Sequence, residues 1–211
     1  MIWKPAAPER TELDESREYR KMRNEQFRTH GIDRDGMTGF VVDSAEPLPR
    51  KVLDIGTGKG FTAVELARRG ADVTTIDISE EMLKAAYLHA VDTGVVDRIE
   101  FHLTEGDELP FEEGSFEVVM MINVLHHLEN PDAVLPEIAR VMTPGGRLVV
   151  SDFTDRGFDI LEEIHRQEGH GHDRHHGETV DGFAARLGDV DMKCIARDRR
   201  FHQFLIVAEK D

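Results

Sequence analysis

Three closely spaced glycines are the first residues whose spacing points to chemistry. A short apolar run ends at Ile55, Gly56, Gly58 and Gly60 follow, and a helical pattern begins at Phe61. Glycine permits positive φ and lets a ligand approach the backbone closely. The first strand-to-helix crevice of a parallel sheet binds nucleotide-like ligands. This spacing predicts a ligand-binding turn, although a tight turn without a ligand would use the same glycines.

An acidic residue strengthens the ligand-binding interpretation of this turn. Asp77 lies near the end of the predicted strand 73–78, about 20 residues past the glycines. A carboxylate at this place can accept both hydroxyl groups of a ribose. A nicotinamide-binding fold would have the spacing Gly-x-Gly-x-x-Gly, whereas this chain has Gly-x-Gly-x-Gly.

Histidines form the second group of residues with chemical potential. The segment 162–176 combines imidazole and carboxylate side chains, which suit Zn, Ni, Fe or Co. The spacing matches no standard zinc motif, so a solvated polar loop and a metal-free base or acceptor-binding role are alternatives. The first choices for metal ligands are His165, His170 and His172, with Glu162, His175 and His176 as alternates.

The elements that must position these residues alternate along the chain. Repeated strand–helix units between residues 51 and 152 imply a parallel sheet with helices on both faces. Two last strands, 190–196 and 201–209, are joined by a short turn, which permits only an antiparallel pair. Helices over 11–30 and 35–44 are expected to form an N-terminal arm, with Thr11 as the first cap.

Composition limits the classes of partner. The 211 residues carry a formal charge of −16, which makes nucleic acid a poor substrate. The single cysteine, Cys194, excludes an intramolecular disulfide and a multi-cysteine metal site. The sequence has no apolar run long enough to span a bilayer and no secretion signal, so we expect no membrane partner and a cytoplasmic location. A homodimer stays open.

A family resemblance rests on five motifs taken together. The chain resembles the small-molecule class I S-adenosylmethionine (SAM) dependent methyltransferases of the ubiquinone/menaquinone C-methyltransferase type, over roughly residues 50–153. The motifs are Val52–Gly60, Asp77, Leu109-Pro110-Phe111, Leu125-His126-His127 and Arg140–Gly146.

The resemblance implies a fold and an activity. The implied fold is an α/β, Rossmann-like three-layer sandwich whose seven-stranded sheet is mostly parallel with one antiparallel C-terminal strand. SAM is the implied cofactor, and the implied reaction is in-line transfer of a methyl group to a small-molecule acceptor. The histidine segment adds a divalent transition metal as an optional cofactor that would assist the transfer.

The same resemblance implies roles for individual residues. Asp54 would orient the amino group of the methionine moiety, Asp77 would hold the ribose, and Glu105 would accept from the adenine amino group. The family often has Asp at the position of Glu105 and Gly at that of Thr104, which loosens this part of the alignment. The full cofactor-binding set is Asp54, Gly56, Thr57, Gly58, Gly60, Asp77, Ile78, Glu105, Gly106 and Asn123.

Catalytic residues and domain limits complete the expectations. His127, His165 and Tyr19 are the candidates for catalysis, although paired histidines after Leu125 also serve packing in this family.

One domain, 1–211, is expected to comprise an N-terminal helical arm or lid (1–48), a SAM-binding core (50–153), a His-rich acceptor-side insertion (154–188) and a terminal β-hairpin (189–211).

Two other functions remain compatible with these motifs. One is a SAM-binding sensor or partner subunit without catalysis, which would keep the cofactor residues. The other is a protein or RNA methyltransferase. The absence of an Asn/Asp-Pro-Pro-Tyr motif from the sequence lowers the second interpretation.

Overall fold

A seven-stranded sheet forms the centre of the computed structural model, which describes residues 1–128, 130–167 and 177–211. The order across the sheet is β3-β2-β1-β4-β5-β7-β6. The strands are β1 (Lys51–Ile55), β2 (Asp72–Asp77), β3 (Ile99–Leu103), β4 (Phe116–Ile122), β5 (Met142–Phe153), β6 (Met192–Arg200) and β7 (Gln203–Lys210).

One strand runs against the others, as predicted. β7 is antiparallel to both of its neighbours, β5 and β6, while β1 to β5 pair in parallel. Phe201 and His202 make the turn between β6 and β7, with φ of 51° and 60°. Two consecutive positive φ values are typical of the tight turn that reverses a strand directly, so this turn fixes the direction of β7.

Helices cover both faces of the sheet. They are α1 (Arg10–Thr29), α2 (Arg34–Asp43), α3 (Phe61–Arg68), α4 (Glu80–Thr93), α5 (Pro131–Val141), α6 (Asp155–Gln167) and α7 (Val180–Ala185). Glu9 rather than Thr11 caps α1, in a capping box with Glu12. None of the helices in the described ranges is long and apolar enough to cross a membrane.

Alternating residues of the inner strands divide the core into two layers. In β4, Val118 and Met120 pack among residues of α2, α3 and α4, whereas Val119 and Met121 pack among residues of α5 and α7. Successive side chains of a strand point to opposite faces. The three-layer α/β fold is therefore confirmed, with a separate apolar core on each face of the sheet.

The N-terminal arm is fixed to the core at two places. Arg17 and Arg20 of α1 both pair with Asp92 of α4. At the other end, a third apolar cluster joins the arm to α6; its buried members are Phe27, Ile32, Met37, Ile160, Leu161 and Ile164. The arm and α6 thereby close over the carboxyl ends of the parallel strands.

Candidate functional site

The glycine turn adopts the backbone that its sequence predicts. Gly56, Gly58 and Gly60 have φ of 74°, 50° and 75°. A Cβ on Gly56 would lie 2.4 Å from a methyl carbon of Val124, and one on Gly60 would lie 2.9 Å from Cα of Ala86. A Cβ on Gly58 would meet no atom within 4 Å in the described structure. Gly56 and Gly60 are thus needed because a larger side chain would collide with its neighbours, whereas Gly58 faces open space.

Asp77 is held at the end of β2 by two backbone groups. Its Oδ2 accepts a hydrogen bond from the Gly58 N–H at 2.9 Å, and its Oδ1 accepts one from the Ser79 N–H at 2.9 Å. Each carboxylate oxygen can accept more than one hydrogen bond. The carboxylate is therefore oriented and still able to accept from a ligand.

Two adjoining cavities share the glycine turn at this edge of the sheet. We call the first, of about 370 Å³, the Asp77 cavity. It is lined by Asp77 and Ile78 after β2, by Gly106 after β3, and by apolar residues such as Met121 and Val134. Every lining residue belongs to the range 55–134, the central part of the fold.

The second cavity, of about 360 Å³, is named the Arg34 cavity. Its walls come from the arm (Arg34, Met37), from Thr57 in the glycine turn, and from α6 (Leu161, His165). The two cavities share Gly56, Gly58, Met82, Asn123 and His127. Since they have a common wall at the glycine turn, one elongated ligand can reach into both.

Asn123 occupies the junction of the two cavities in a left-handed conformation, with φ of 57°. Its N–H donates to the carbonyl of Ser151 at 2.7 Å, and its Oδ1 accepts from Nε2 of Gln203 at 2.6 Å. Strained backbone of this kind persists where surrounding structure fixes it, often at functional sites. The sequence predicted Asn123 but not Gln203, which lies 80 residues away and arrives through the pairing of β7.

His126, which lines the Arg34 cavity, forms a buried pair with Asp152 behind it. His126 Nδ1 lies 2.8 Å from Oδ1 of Asp152, and the His126 N–H donates to Oδ2 at 2.9 Å. A carboxylate only accepts, so Nδ1 carries the proton and Nε2 is the basic nitrogen. The His127 ring lies beside it at an interplanar angle of 46°, with ring centroids 4.0 Å apart. The sequence prediction chose His127; the structure gives His126 the orienting partner.

His165 lies on the cavity wall, and its neighbour is a cation. A guanidinium nitrogen of Arg23 is 3.2 Å from Nε2 of His165. Since a guanidinium only donates, Nε2 accepts, and a metal ion at this nitrogen would face a positive charge. No group of three metal-ligating side chains occurs among the residues that the structure describes. Of the predicted ligands, His170, His172, His175 and His176 lie outside the described residues.

Asp54, Gly60 and Glu105 are the three predicted cofactor residues that do not line these cavities in the described structure. Asp54 is buried and accepts from the Thr75 hydroxyl at 2.7 Å. Burial raises the pKa of Asp54 to about 6, and the Thr75 hydrogen bond opposes the rise. Glu105 is exposed. Asp54 therefore supports the glycine turn from the protein interior.

Tyr19 contacts the glycine turn from the arm. Its hydroxyl accepts a hydrogen bond from Nζ of Lys59, which also lies 4.3 Å from the centre of its ring. Tyr19 is half-exposed and contributes to neither cavity wall in the described structure. The contact links the arm to the turn and leaves Tyr19 outside the cavities.

Comparisons with known proteins show a matching family and several similar proteins. Residues 53–150 match the family described as a methyltransferase domain. A ubiquinone biosynthesis O-methyltransferase of Xanthomonas axonopodis pv. citri is 35% identical over 113 residues, 53% of this chain and 46% of that protein. A ubiquinone/menaquinone biosynthesis C-methyltransferase of Brucella canis is 31% identical over 139 residues, 64% of this chain and 51% of that protein. The chain thus spans about half the length of the curated relatives it matches.

A solved structure extends the likeness to nearly the whole chain. The structure of a SAM dependent methyltransferase from Aquifex aeolicus superposes with a TM-score of 0.66. The alignment covers 94% of this chain and 98% of that one, at 18% identity. At this identity the likeness establishes the fold alone.

Proposed function

We propose that the chain is a class I SAM-dependent methyltransferase that methylates a small-molecule acceptor; residues 53–150 match the methyltransferase domain family. The observation that carries the proposal is the pair of adjoining cavities around an open, positive-φ glycine turn. One cavity presents a carboxylate, and the other is closed by an arm and a helix. This division fits a two-part cofactor beside an acceptor.

The residues of the Asp77 cavity fit the nucleoside part of SAM. The fixed carboxylate of Asp77 would accept from the ribose hydroxyls, and Ile78, which is 74% exposed, would cover the adenine. Gly106, which also lines the cavity, would offer its backbone to the ring. Glu105, predicted to bind the adenine amino group, has its carboxylate outside the cavity, so we assign it no contact.

The Arg34 cavity fits the methionine part of SAM and the acceptor. Thr57 and the backbone of Gly58 would lie against the methionine moiety, with Asn123 near the sulfur. SAM supplies a methyl group that its sulfonium already activates, so the protein must align the acceptor and exclude water. The arm and α6 supply that exclusion, because their third apolar cluster closes this side of the cavity.

His126 is our candidate general base. Its Nε2 is the nitrogen without a proton, the residue lines the Arg34 cavity, and Asp152 fixes the orientation of its ring. A base is needed when the acceptor atom carries a proton at working pH. Asp152 acts through His126 and is therefore a positioning residue. His127 and His165 line the same cavity, but Asp152 orients His126 alone of the three within the described contacts.

SAM turnover tests the proposal. We expect calorimetric binding of SAM and S-adenosylhomocysteine, and conversion of SAM in the presence of the small-molecule fraction of a cell extract. Gly58→Arg should abolish binding because its side chain would enter the open space. Gly94→Arg is the matched control: Gly94 has φ of 72° and open space around its Cβ, but lies at the end of α4.

The same measurements separate the alternatives. Binding of S-adenosylhomocysteine without conversion of SAM would favour the non-catalytic sensor or partner subunit. Methyl transfer to the macromolecular fraction alone would favour the protein or RNA methyltransferase. Absence of binding by both cofactor forms would contradict the proposal and its alternatives together.

That a metal ion bound by the histidine segment assists the methyl transfer stays a prediction. Elemental analysis of the purified protein, with and without a chelator, would test it, and a His170→Ala, His172→Ala variant would locate the ion. Loss of metal in that variant with retained binding of S-adenosylhomocysteine would support the predicted ligands.

A further inference from the structure

The charge of the Arg34 cavity contrasts with that of the whole protein. The chain carries a formal charge of −16, yet the described residues that line this cavity include no aspartate or glutamate. They do include Arg34, Lys59, His126, His127 and His165. An acid-free cavity with a permanent positive charge in an acidic protein indicates an anionic ligand.

Arg34 supplies the permanent charge on the arm side. The contacts of its guanidinium are with neutral groups: Asn24 Oδ1 at 3.4 Å and the rings of Phe27 and Phe61, whose centres are 4.7 and 3.9 Å away. Burial, followed by the charge of Arg23, lowers the pKa of Arg34 to about 10, so the group stays protonated at neutral pH. The two rings hold the planar guanidinium in one orientation, which favours recognition of a carboxylate or phosphate.

The location of Arg34 separates it from the domain shared with the relatives. The family match covers residues 53–150 and contains the predicted SAM-binding residues, whereas Arg34 lies in α2. Around it, Met37, Val41 and Leu161 form an apolar wall that also comes from outside the match. Relatives that use one donor for different acceptors must differ in the acceptor-binding segments.

Charge balance points to the acceptor. SAM carries one carboxylate, one ammonium and one sulfonium, so it brings a net positive charge into a cavity that is already positive. From these observations we propose that the methyl acceptor is a small apolar molecule with an acidic oxyanion group, which Arg34 binds. The proposal rests on the function proposed above, and it names a class of acceptor that the family leaves open.

Matched acid and amide probes test this inference. Wild-type protein saturated with S-adenosylhomocysteine would be titrated with 4-hydroxybenzoate, phenyl phosphate and neutral 4-hydroxybenzamide. We expect at least one acid to bind about tenfold more tightly than the amide, since a charged hydrogen bond is gained. Arg34→Met should abolish the preference, and Arg34→Lys should retain part of it.

Controls distinguish this inference from folding and from donor binding. Arg28→Met, on the same arm and paired with the exposed Glu25, should keep the preference for the acid. Thermal unfolding of each variant checks that the arm remains docked. Failure of the wild type to bind S-adenosylhomocysteine would count against the proposed function itself.

Two results would overturn the inference about the acceptor. The first is that Arg34→Met weakens binding of S-adenosylhomocysteine while leaving that of 5′-methylthioadenosine, which lacks the carboxylate, unchanged; Arg34 would then serve the donor. The second is that the wild type shows no preference for the acids over the amide, including no binding of any of the three probes.

Discussion

The two cavities are built in different ways from the same chain. The Asp77 cavity takes its lining from residues 55–134, where each strand is followed by the turn that carries its contribution. The Arg34 cavity combines the arm, the glycine turn, the end of β4, α6 and β7, and its lining runs from residue 34 to residue 203. The first cavity thus depends on local strand–turn geometry, and the second on how distant segments dock.

This difference follows the limits of the family match. The lining of the Asp77 cavity falls inside the matched range 53–150, whereas Arg34, Leu161, His165 and Gln203 fall outside it. We infer that changes in the first cavity affect donor binding and stability. Changes in the second should affect the transfer step and the choice of acceptor.

The largest effect is expected at His126, which lines the Arg34 cavity, and at its partner Asp152. Asp152→Asn removes the carboxylate that orients His126, so kcat should fall by about 100-fold or more. Binding of S-adenosylhomocysteine should be unchanged, so the loss should appear in kcat alone. Asp155→Asn, an exposed neighbour, is the control. Equal loss of cofactor binding in Asp152→Asn would mean that the pair is structural.

The next effect concerns the glycine turn. Gly56→Ala adds a methyl group 2.4 Å from Val124 at positive φ, so the free energy of unfolding should fall by about 2–4 kcal/mol. Gly58→Ala has only the backbone cost, about 1–2 kcal/mol, because its surroundings are open. Denaturant unfolding measures both. The double variant Gly56→Ala, Val124→Ala should recover part of the loss; no recovery would exclude the contact with Val124 as the cause.

A smaller effect should appear in the pH dependence of the free energy of unfolding. The pKa of Asp54 is about 6 in the folded protein and 3.8 ordinarily, so folding favours its protonated form. Its stabilising contribution is complete below pH 3.8 and is lost as pH rises through 6. Relative to Asp54→Asn, the wild type should therefore lose on the order of 3 kcal/mol of unfolding free energy across this window.

Asp72 provides a control of opposite sign for this pH measurement. The hydrogen bond from Arg50 holds the pKa of Asp72 below its ordinary value. Its contribution is present above that ordinary value and is lost as pH falls, so Asp72→Asn should change the pH profile in the other direction. If the free energy of unfolding of Asp54→Asn changed with pH in parallel with that of the wild type, the raised pKa of Asp54 would be contradicted.

The smallest effect is expected where the arm meets the turn. Tyr19→Phe removes the hydroxyl contact with Lys59 but keeps the ring beneath the ammonium, so stability should change by about 0.5 kcal/mol. Binding of S-adenosylhomocysteine and kcat should be nearly unchanged. A large loss of kcat in Tyr19→Phe would restore Tyr19 as a catalytic candidate.

The sequence by itself determined the Asp77 cavity and the course of the sheet. Gly56 to Gly60 and Asp77 end adjacent parallel strands, and parallel strands place their following turns at one edge. The tight turn before β7 permits only an antiparallel strand. These features follow from residues close together in the chain, so local patterns suffice to predict them.

Only the tertiary structure decided the Arg34 cavity. Asp152 and Gln203 reach His126 and Asn123 through strand pairing, and Arg34 reaches the glycine turn because α1 and α2 dock on α4 and α6. The hydrogen-bonded residues are 26 and 80 positions apart in the sequence. The periodicity of apolar residues along a segment does not predict contacts at such separations. Tertiary packing likewise buries Asp54 beside Thr75 and leaves Glu105 exposed, because the orientation of a side chain depends on elements that its own segment does not encode.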